Sequence, residues 1–485
     1  MKPDFRAAMT WLHDWAGLVT GWLLFAIVLS GTLSVFRPEI GAWMRPEVLG
    51  RPADPIVATD AAIRWLSIHA ARSPAWYLDV AGDRAPYTQA IWAEGGDYVQ
   101  RALDPQNGSP AAIRDTLGGE FFYRFHFELQ LPYPWGRLLA AAAAMALVLV
   151  LLTGIVAHRR FFADFFTFRP GKGQRSWLDV HNMLGVVALP FHLMIAFTGA
   201  ATLANLLMPW GIAAIYHSDM SAAQQDLNPA AIDRPATGRS GPRAPVLPML
   251  REAQRRFGEA GLERVTVFNP GDVAAVVTMV AGGGDGIGID PHTLSFDGTT
   301  GRILAEHVEG RPAVGLFDFL YGLHVARFAP GVTRWLYFVS GLMLAGVVGS
   351  GLRLWTIKRH RRAPGFGTAL VERLNVGVIA GTPTAFAALL LANRVLPAGL
   401  AGRSALEVRS VFVTWALVLA VGVLRAPDRA WGELLGLSAL ACLGVALAGG
   451  LPRDGVAQGV ALVALALACG LAVAAWRSIL RRRDP

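Results

Sequence analysis

Residues 158–199 read HRRFFADFFTFRPGKGQRSWLDVHNMLGVVALPFHLMIAFTG, and this stretch decides the fold class. Its first half is a basic, aromatic loop carrying Arg159, Arg160, Arg169, Lys172 and Arg175. Its second half passes Asp179 into the run Val180–Met208, which holds no Asp, Glu, Lys or Arg. About 20 such residues of helix cross a ~30 Å hydrocarbon layer. His181 and His192 stand inside that run, where an ionisable group is costly unless it faces a bundle interior and finds a partner. On one straight helix they would share a face within ~20° and stand ~16 Å apart in depth.

Working outward, further uncharged runs of comparable reach are Trp15–Phe36, Leu138–Ala157, Trp335–Leu352, Leu374–Asn393, Ser410–Leu424, Leu434–Leu451 and Gly455–Trp476. The chain of 485 residues is 53% hydrophobic and 16% charged, whereas soluble domains carry about 25% charge. The expected fold is therefore an all-α integral membrane protein with about eight transmembrane helices. Lys and Arg crowd alternate ends of the spans, in the loops 159–178 and 356–373 and at both termini. The positive-inside rule puts those segments in the cytoplasm and 38–134 and 212–331 outside. The net charge of +9 is thus a topology signal, with no call for nucleic acid. The spans and their flanks partition the chain as 1–37, 135–158, 179–211 and 332–355, with a C-terminal four-helix membrane region over 374–485. The first span runs through Ser30-Gly31-Thr32 with no small-residue cleavage site, which favours an uncleaved anchor.

Both outer segments contain short β-rich runs closed by turn residues. Tyr98–Pro105 precedes Asn107-Gly108, and Val273–Val280 precedes Gly282–Gly286, Ile287–Asp290 and Pro291. Each segment is expected to form a small α+β module. Cys442 and Cys469 both lie in apolar stretches, which excludes a disulfide framework, a four-thiolate iron–sulfur cluster and a C-x-x-C-H haem attachment. No Walker, HExxH or Ser–His–Asp pattern is present.

The spans also repeat. His13, Gly17 and Ser30-Gly31 in the first match His181, Gly185 and Thr198-Gly199 in the third. His126 precedes the second span, which ends in Thr153-Gly154, and His324 precedes the fourth, which ends in Ser350-Gly351. Two halves of the same orientation imply a four-helix core built as a parallel internal repeat. Paired neutral imidazoles from its halves would hold b-type haem without a thiol, and two levels of histidine imply two haems. Symmetry pairs His13 with His181 at the inner level and His126 with His324 at the outer, with His192 as substitute and His158 a weaker candidate. Glycines 17, 21, 31, 185 and 199 would admit a flat macrocycle close to the helices.

The 158–199 stretch, with WLHDWAGLVTGWLLFAIVLSGTL (11–33) and YGLHVARF (321–328), resembles the PepSY-associated transmembrane helix family of iron-regulated membrane proteins. The resemblance covers about residues 5–360. It implies two b haems among the first four helices, extracytoplasmic PepSY modules, and electron transfer outward to a ferric siderophore. Its ligand candidates by position are His13, His126, His181 and His324, with His192 matching a subfamily pattern. The spans over 374–476 lie outside the pattern, so a cytoplasmic or quinol electron donor stays open. Other readings are a non-redox PepSY protein that binds an envelope partner and a transporter using the C-terminal helices. Membrane lipid is a partner on every reading.

Overall fold

A backbone in hydrocarbon must satisfy its own N–H and C=O groups, so each charge-free run is expected to be helical. The computed structural model describes residues 3–51, 54–158, 167–283, 286–288, 292–326, 328, 331–363, 365–450 and 454–480. Among them, seven helical segments are long and apolar enough to cross a membrane, or eight if one bent pair counts as a span. The chain divides into a membrane unit (1–44, 116–203 and 330–485) and a sheet unit (45–115 and 204–329).

In the membrane unit the helices are α1 (Pro3–Ser34), α2 (Arg37–Trp43), α4 (Glu120–Glu128), α5 (Trp135–Ala157), α6 (Gln174–Val187), α7 (Leu189–Thr202) and α13 (Gly331–Arg362). The C-terminal bundle adds α14 (Phe366–Asn375), α15 (Gly381–Val395), α16 (Arg403–Leu424), α17 (Pro427–Ala448) and α18 (Gly455–Leu480). A π-helical turn, Val376–Ala380, joins α14 to α15 within one span.

The third span departs from the straight helix expected from its sequence. α6 and α7 meet at 70°. Pro190, in the first turn of α7, has no N–H to give and its ring collides with the carbonyl four residues earlier, so the helix cannot run on through Ala188. His181 and His192 therefore lie on two differently directed helices, and the shared face and ~16 Å ladder computed for a straight helix do not hold.

The two units divide the chain at residues other than the expected limits 38–134 and 212–331. α2 and α4 belong to the membrane unit, while residues 204–211 belong to the sheet unit. The reason for α4 is its apolar side. Phe121, Phe122 and Phe125 are buried in the same core as Leu24, Ile27, Phe386 and Leu389.

The sheet unit is one antiparallel sheet in place of two separate modules. Its strands are β1 (Ala75–Asp79), β2 (Thr88–Glu94), β3 (Asp97–Leu103), β4 (Leu262–Phe268), β5 (Val276–Ala281), β6 (Thr293–Asp297) and β7 (Ile303–His307), in the order β3-β2-β1-β4-β5-β6-β7. The two chain segments join where β1 pairs with β4, Ala75 opposite Phe268 through Asp79 opposite Arg264. Apart, each segment would leave a bare strand edge, and pairing the edges removes both. Helices α3 (Pro55–His69) and α11 (Val246–Phe257) share one core with the strands, built on Leu66, Trp76, Leu78, Trp92, Leu250 and Met279. Asp54 caps α3 by accepting from the N–H groups of Ile56 and Val57. The strand after the glycine-rich turn is 293–297, in place of Ile287–Asp290, of which 289–290 lie outside the described residues. Helices α8 (Ala204–Leu207), α9 (Trp210–Tyr216), α10 (Met220–Leu227) and α12 (Pro312–Val325) complete the unit.

Candidate functional site

Four Ser/Thr-Gly pairs, one near the end of each repeated span, form a recurring device. In every one the hydroxyl donates back to the helix carbonyl three residues earlier. Ser30 reaches Ile27 O at 2.9 Å, Thr153 reaches Val150 O at 3.1 Å, Ser350 reaches Val347 O at 3.0 Å and Thr198 reaches Ile195 O at 3.4 Å. Three of those carbonyls also receive a histidine. His126 Nδ1 lies 2.8 Å from Ile27 O, His13 Nδ1 2.9 Å from Val150 O, and His181 Nδ1 3.0 Å from Val347 O. A carbonyl only accepts, so Nδ1 carries the proton in each ring and Nε2 keeps its lone pair for another partner.

The adjoining glycine makes room for the ring. A Cβ at Gly31 would sit 2.5 Å from His126 Nδ1, one at Gly154 3.0 Å from His13 Cε1, and one at Gly351 3.1 Å from His181 Cε1. These glycines seat imidazoles. That corrects the expectation for Gly31, and Gly21 likewise meets a side chain, Leu352 at 2.7 Å. The Ser/Thr-Gly repeat was legible in the sequence, but its use as an imidazole socket was not.

Two of the seated rings are neighbours in a T-shaped arrangement. The His13 and His181 ring centres are 6.3 Å apart with planes at 75°. An imidazole nitrogen binds a metal at about 2.0–2.1 Å and lies ~1.1 Å from its ring centre, so two rings with centres about 6.3 Å apart could both reach one metal ion held between them. The observed pair meets that spacing. The space beside it is open: a Cβ at Gly17 would meet nothing within 4 Å, and one at Gly185 only Val347 Cγ2 at 3.9 Å. On α1, His13 leans on α5 and Gly21 on α13, and Gly17 lies angularly between them, facing the bundle interior. Gly185 stands at the corresponding place after His181 on α6. His13 and His181, each with Nδ1 committed to a helix carbonyl, stand beside open space at Gly17 and Gly185, and are the residues that could hold a haem.

The other candidates are placed differently. His126, on the short helix α4, is seated like the first two, and burial pushes its pKa down, which keeps the imidazole neutral. His192 is fully buried in α7, its Nε2 3.3 Å from Ser340 O. His158 ends α5, with Asn182 Nδ2 3.5 Å from its Nε2. His324 lies in the last turn of α12 in the sheet unit. Among the described residues no group of three or more His, Cys, Asp or Glu side chains gathers as a metal-binding cluster.

Charged and aromatic groups that the sequence reading left aside surround the His13 end of the bundle. Asp179 accepts from the Arg169 backbone N–H at 3.0 Å and from its guanidinium at 2.6 and 2.9 Å, fastening the basic loop to α6 two residues before His181. Lys358 pairs with Asp14 at 2.6 Å, and the Arg359 guanidinium lies over the rings of both Trp15 and Trp355, at 4.9 and 4.8 Å.

A family model described as the PepSY-associated TM region matches residues 10–358. The chain belongs to this family. An uncharacterized protein of Pseudomonas aeruginosa is 29% identical to it, across 68% of this chain and 86% of that protein. All four Ser/Thr-Gly sockets lie inside the PepSY-associated TM region, and helices α14–α18 lie beyond it.

Proposed function

We propose that this chain is a di-haem b reductase of the bacterial inner membrane, passing electrons from the cytoplasmic side or the quinol pool to a ferric siderophore outside and releasing Fe(II). The observation that carries the reading is the His13–His181 pair, with ring centres 6.3 Å apart and both Nδ1 atoms bound to helix carbonyls. Bound between two neutral imidazoles, haem would supply one-electron transfer through a low-dielectric layer.

The chain's own residues do the rest. Val150 O and Val347 O fix the tautomer and plane of His13 and His181, the outer-shell partners that ligating histidines need. Gly17 and Gly185 leave the cradle clear. The second haem would take His126 as its ligand from the membrane unit. His126 is held in the same pose, with Nδ1 on Ile27 O. The choice of a ferric siderophore comes from the family resemblance and from redox chemistry: hard oxygen chelators hold Fe(III) and release the softer Fe(II), so one electron frees the metal. The reaction needs no general acid or base.

The test is a pyridine haemochrome and a reduced-minus-oxidised spectrum on purified protein, expected to show about two b haems per chain. Anaerobic dithionite reduction followed by ferric siderophore should then reoxidise the haem, with Fe(II) trapped by a ferrous-specific chelator. Protein without haem, or haem that ignores every ferric chelate and reoxidises with a quinone, overturns the proposal.

A further inference from the structure

The C-terminal helices have no counterpart in the family pattern, yet they close around the segment that carries His126. α4 is nine residues long, and helices shorter than ~12 residues are marginal on their own. Its position must come from packing. On one side His126 sits in the α1 socket at Ile27 and Gly31. On another, Phe386 of α15 lies 5.4 Å from Phe122, 5.6 Å from Phe125 and 6.5 Å from Phe121, ring centre to ring centre. Trp415 of α16 lies 5.6 Å from Phe125, and Phe412 lies 6.4 Å from it. Phe121, Phe122, Phe125 and Phe386 are all buried.

The entry to α4 is tied to the same bundle by a buried polar cluster. Arg403 and Glu407 form an ion pair with both side chains fully buried. Such a pair is tolerated only when its remaining hydrogen-bonding capacity is used. Glu407 accepts from Arg403, from Asn393 Nδ2 at 2.9 Å, and from the Thr116 hydroxyl. Thr116 in turn accepts from Gly118 N at 3.0 Å, just before α4 begins. Asn393 Nδ2 also donates to Met44 O at 3.1 Å, and Arg394 donates to Trp43 O at 2.7 Å while lying 4.0 Å over the Trp43 ring. One cluster thus holds the chain where it leaves the membrane unit, at Met44, and where it returns, at Thr116.

We infer that the C-terminal bundle is a positioning wall for His126, acting through the Phe386 aromatic cluster and the Arg403–Glu407–Thr116 tie. The inference rests on the haem reading for its consequence, but the wall itself is a property of this chain. Thr116, Glu407 and Phe386 are positioning residues. An imidazole that is to ligate a haem has to be held to about 0.5 Å, and besides the wall α4 packs on α1, α2 and α5.

The experiment uses the full-length protein in detergent with Thr116→Val, which removes the tie at nearly constant volume, Thr116→Ser, which keeps it, and Phe386→Ala. Bis-histidine haem does not bind carbon monoxide, whereas haem that has lost a ligand does. Wild type and Thr116→Ser should be inert to carbon monoxide. Thr116→Val and Phe386→Ala should make up to about half of the haem reactive, and should shift one of the two midpoint potentials while leaving the other in place. Amide exchange over residues 117–128 reads the wall without reference to haem, and should quicken in both variants relative to α5. Wild-type exchange, carbon monoxide inertness and potentials in Thr116→Val overturn the inference, even if Phe386→Ala fails to accumulate. Equal changes at both haems also overturn it, since they mean general loosening. Absence of haem in wild type defeats the proposed function alone, and amide exchange then decides the wall.

Discussion

Replacing Gly17 with Leu separates a cradle from an ordinary gap between helices. A Cβ at Gly17 meets nothing within 4 Å, so a side chain can start there without a clash at its first carbon, and its outer carbons enter the open space beside α1. In a helix interior, exchanging Gly for a good helix former gains about 0.5–1 kcal/mol. With the space vacant, the variant should therefore be as stable as wild type or slightly more so. If a macrocycle lies between His13 and His181, the added side chain occupies the same space. Overpacking of that kind costs about 1–3 kcal/mol, which weakens binding by about 5- to 150-fold. The assay is haem content per chain from a pyridine haemochrome, beside a thermal melt. The expected result is loss of about one haem of two with no loss of stability in the haem-free protein. Gly436→Leu is the control, because Gly436 on α17 is also open within 4 Å and makes no part of the cradle. Full haem content in Gly17→Leu, or an equal loss in Gly436→Leu, would refute the cradle.

Three further outcomes follow from the same geometry. His181→Ala should cost one haem of two by pyridine haemochrome while His192→Ala costs none, and unchanged content in His181→Ala removes the inner pair. Gly31→Ala puts a Cβ 2.5 Å from His126 Nδ1, so the ring must retreat by about 1 Å and surrender its bond to Ile27 O. That should destabilise the site by about 1–3 kcal/mol and expose one haem to carbon monoxide, whereas Gly185→Ala leaves His126 untouched. In the sheet unit, burial pushes Asp297 upward, but hydrogen bonds from Thr299, Arg234 and the N–H groups of Thr299 and Thr300 prevail and hold its carboxyl well below the usual range. A depressed folded pKa stabilises fully above the unfolded value of ~3.9 and is lost as pH falls through the folded one. Asp297→Asn should flatten the acid limb of the stability curve below about pH 4, and an unchanged limb contradicts the assignment.

The membrane class, the helical spans and the two-half repeat were legible in the sequence, because apolar length and the burial cost of histidine act residue by residue along the chain. The four Ser/Thr-Gly pairs were visible for the same reason. Three things depended on the folded chain. The break at Ala188 was marked by Pro190, yet its 70° angle belongs to the packing of α6 and α7 and dissolved the single-helix ladder. The merging of the two segments into one sheet required β1 and β4, nearly 200 residues apart in the chain, to pair their edges. Nothing in the sequence joins Glu407 to Thr116, because the two stand 291 residues apart and meet only in the folded chain. Hydrophobic periodicity is local and survives in a string of letters. A hydrogen bond between side chains hundreds of residues apart does not, since its partners are chosen only when the helices pack.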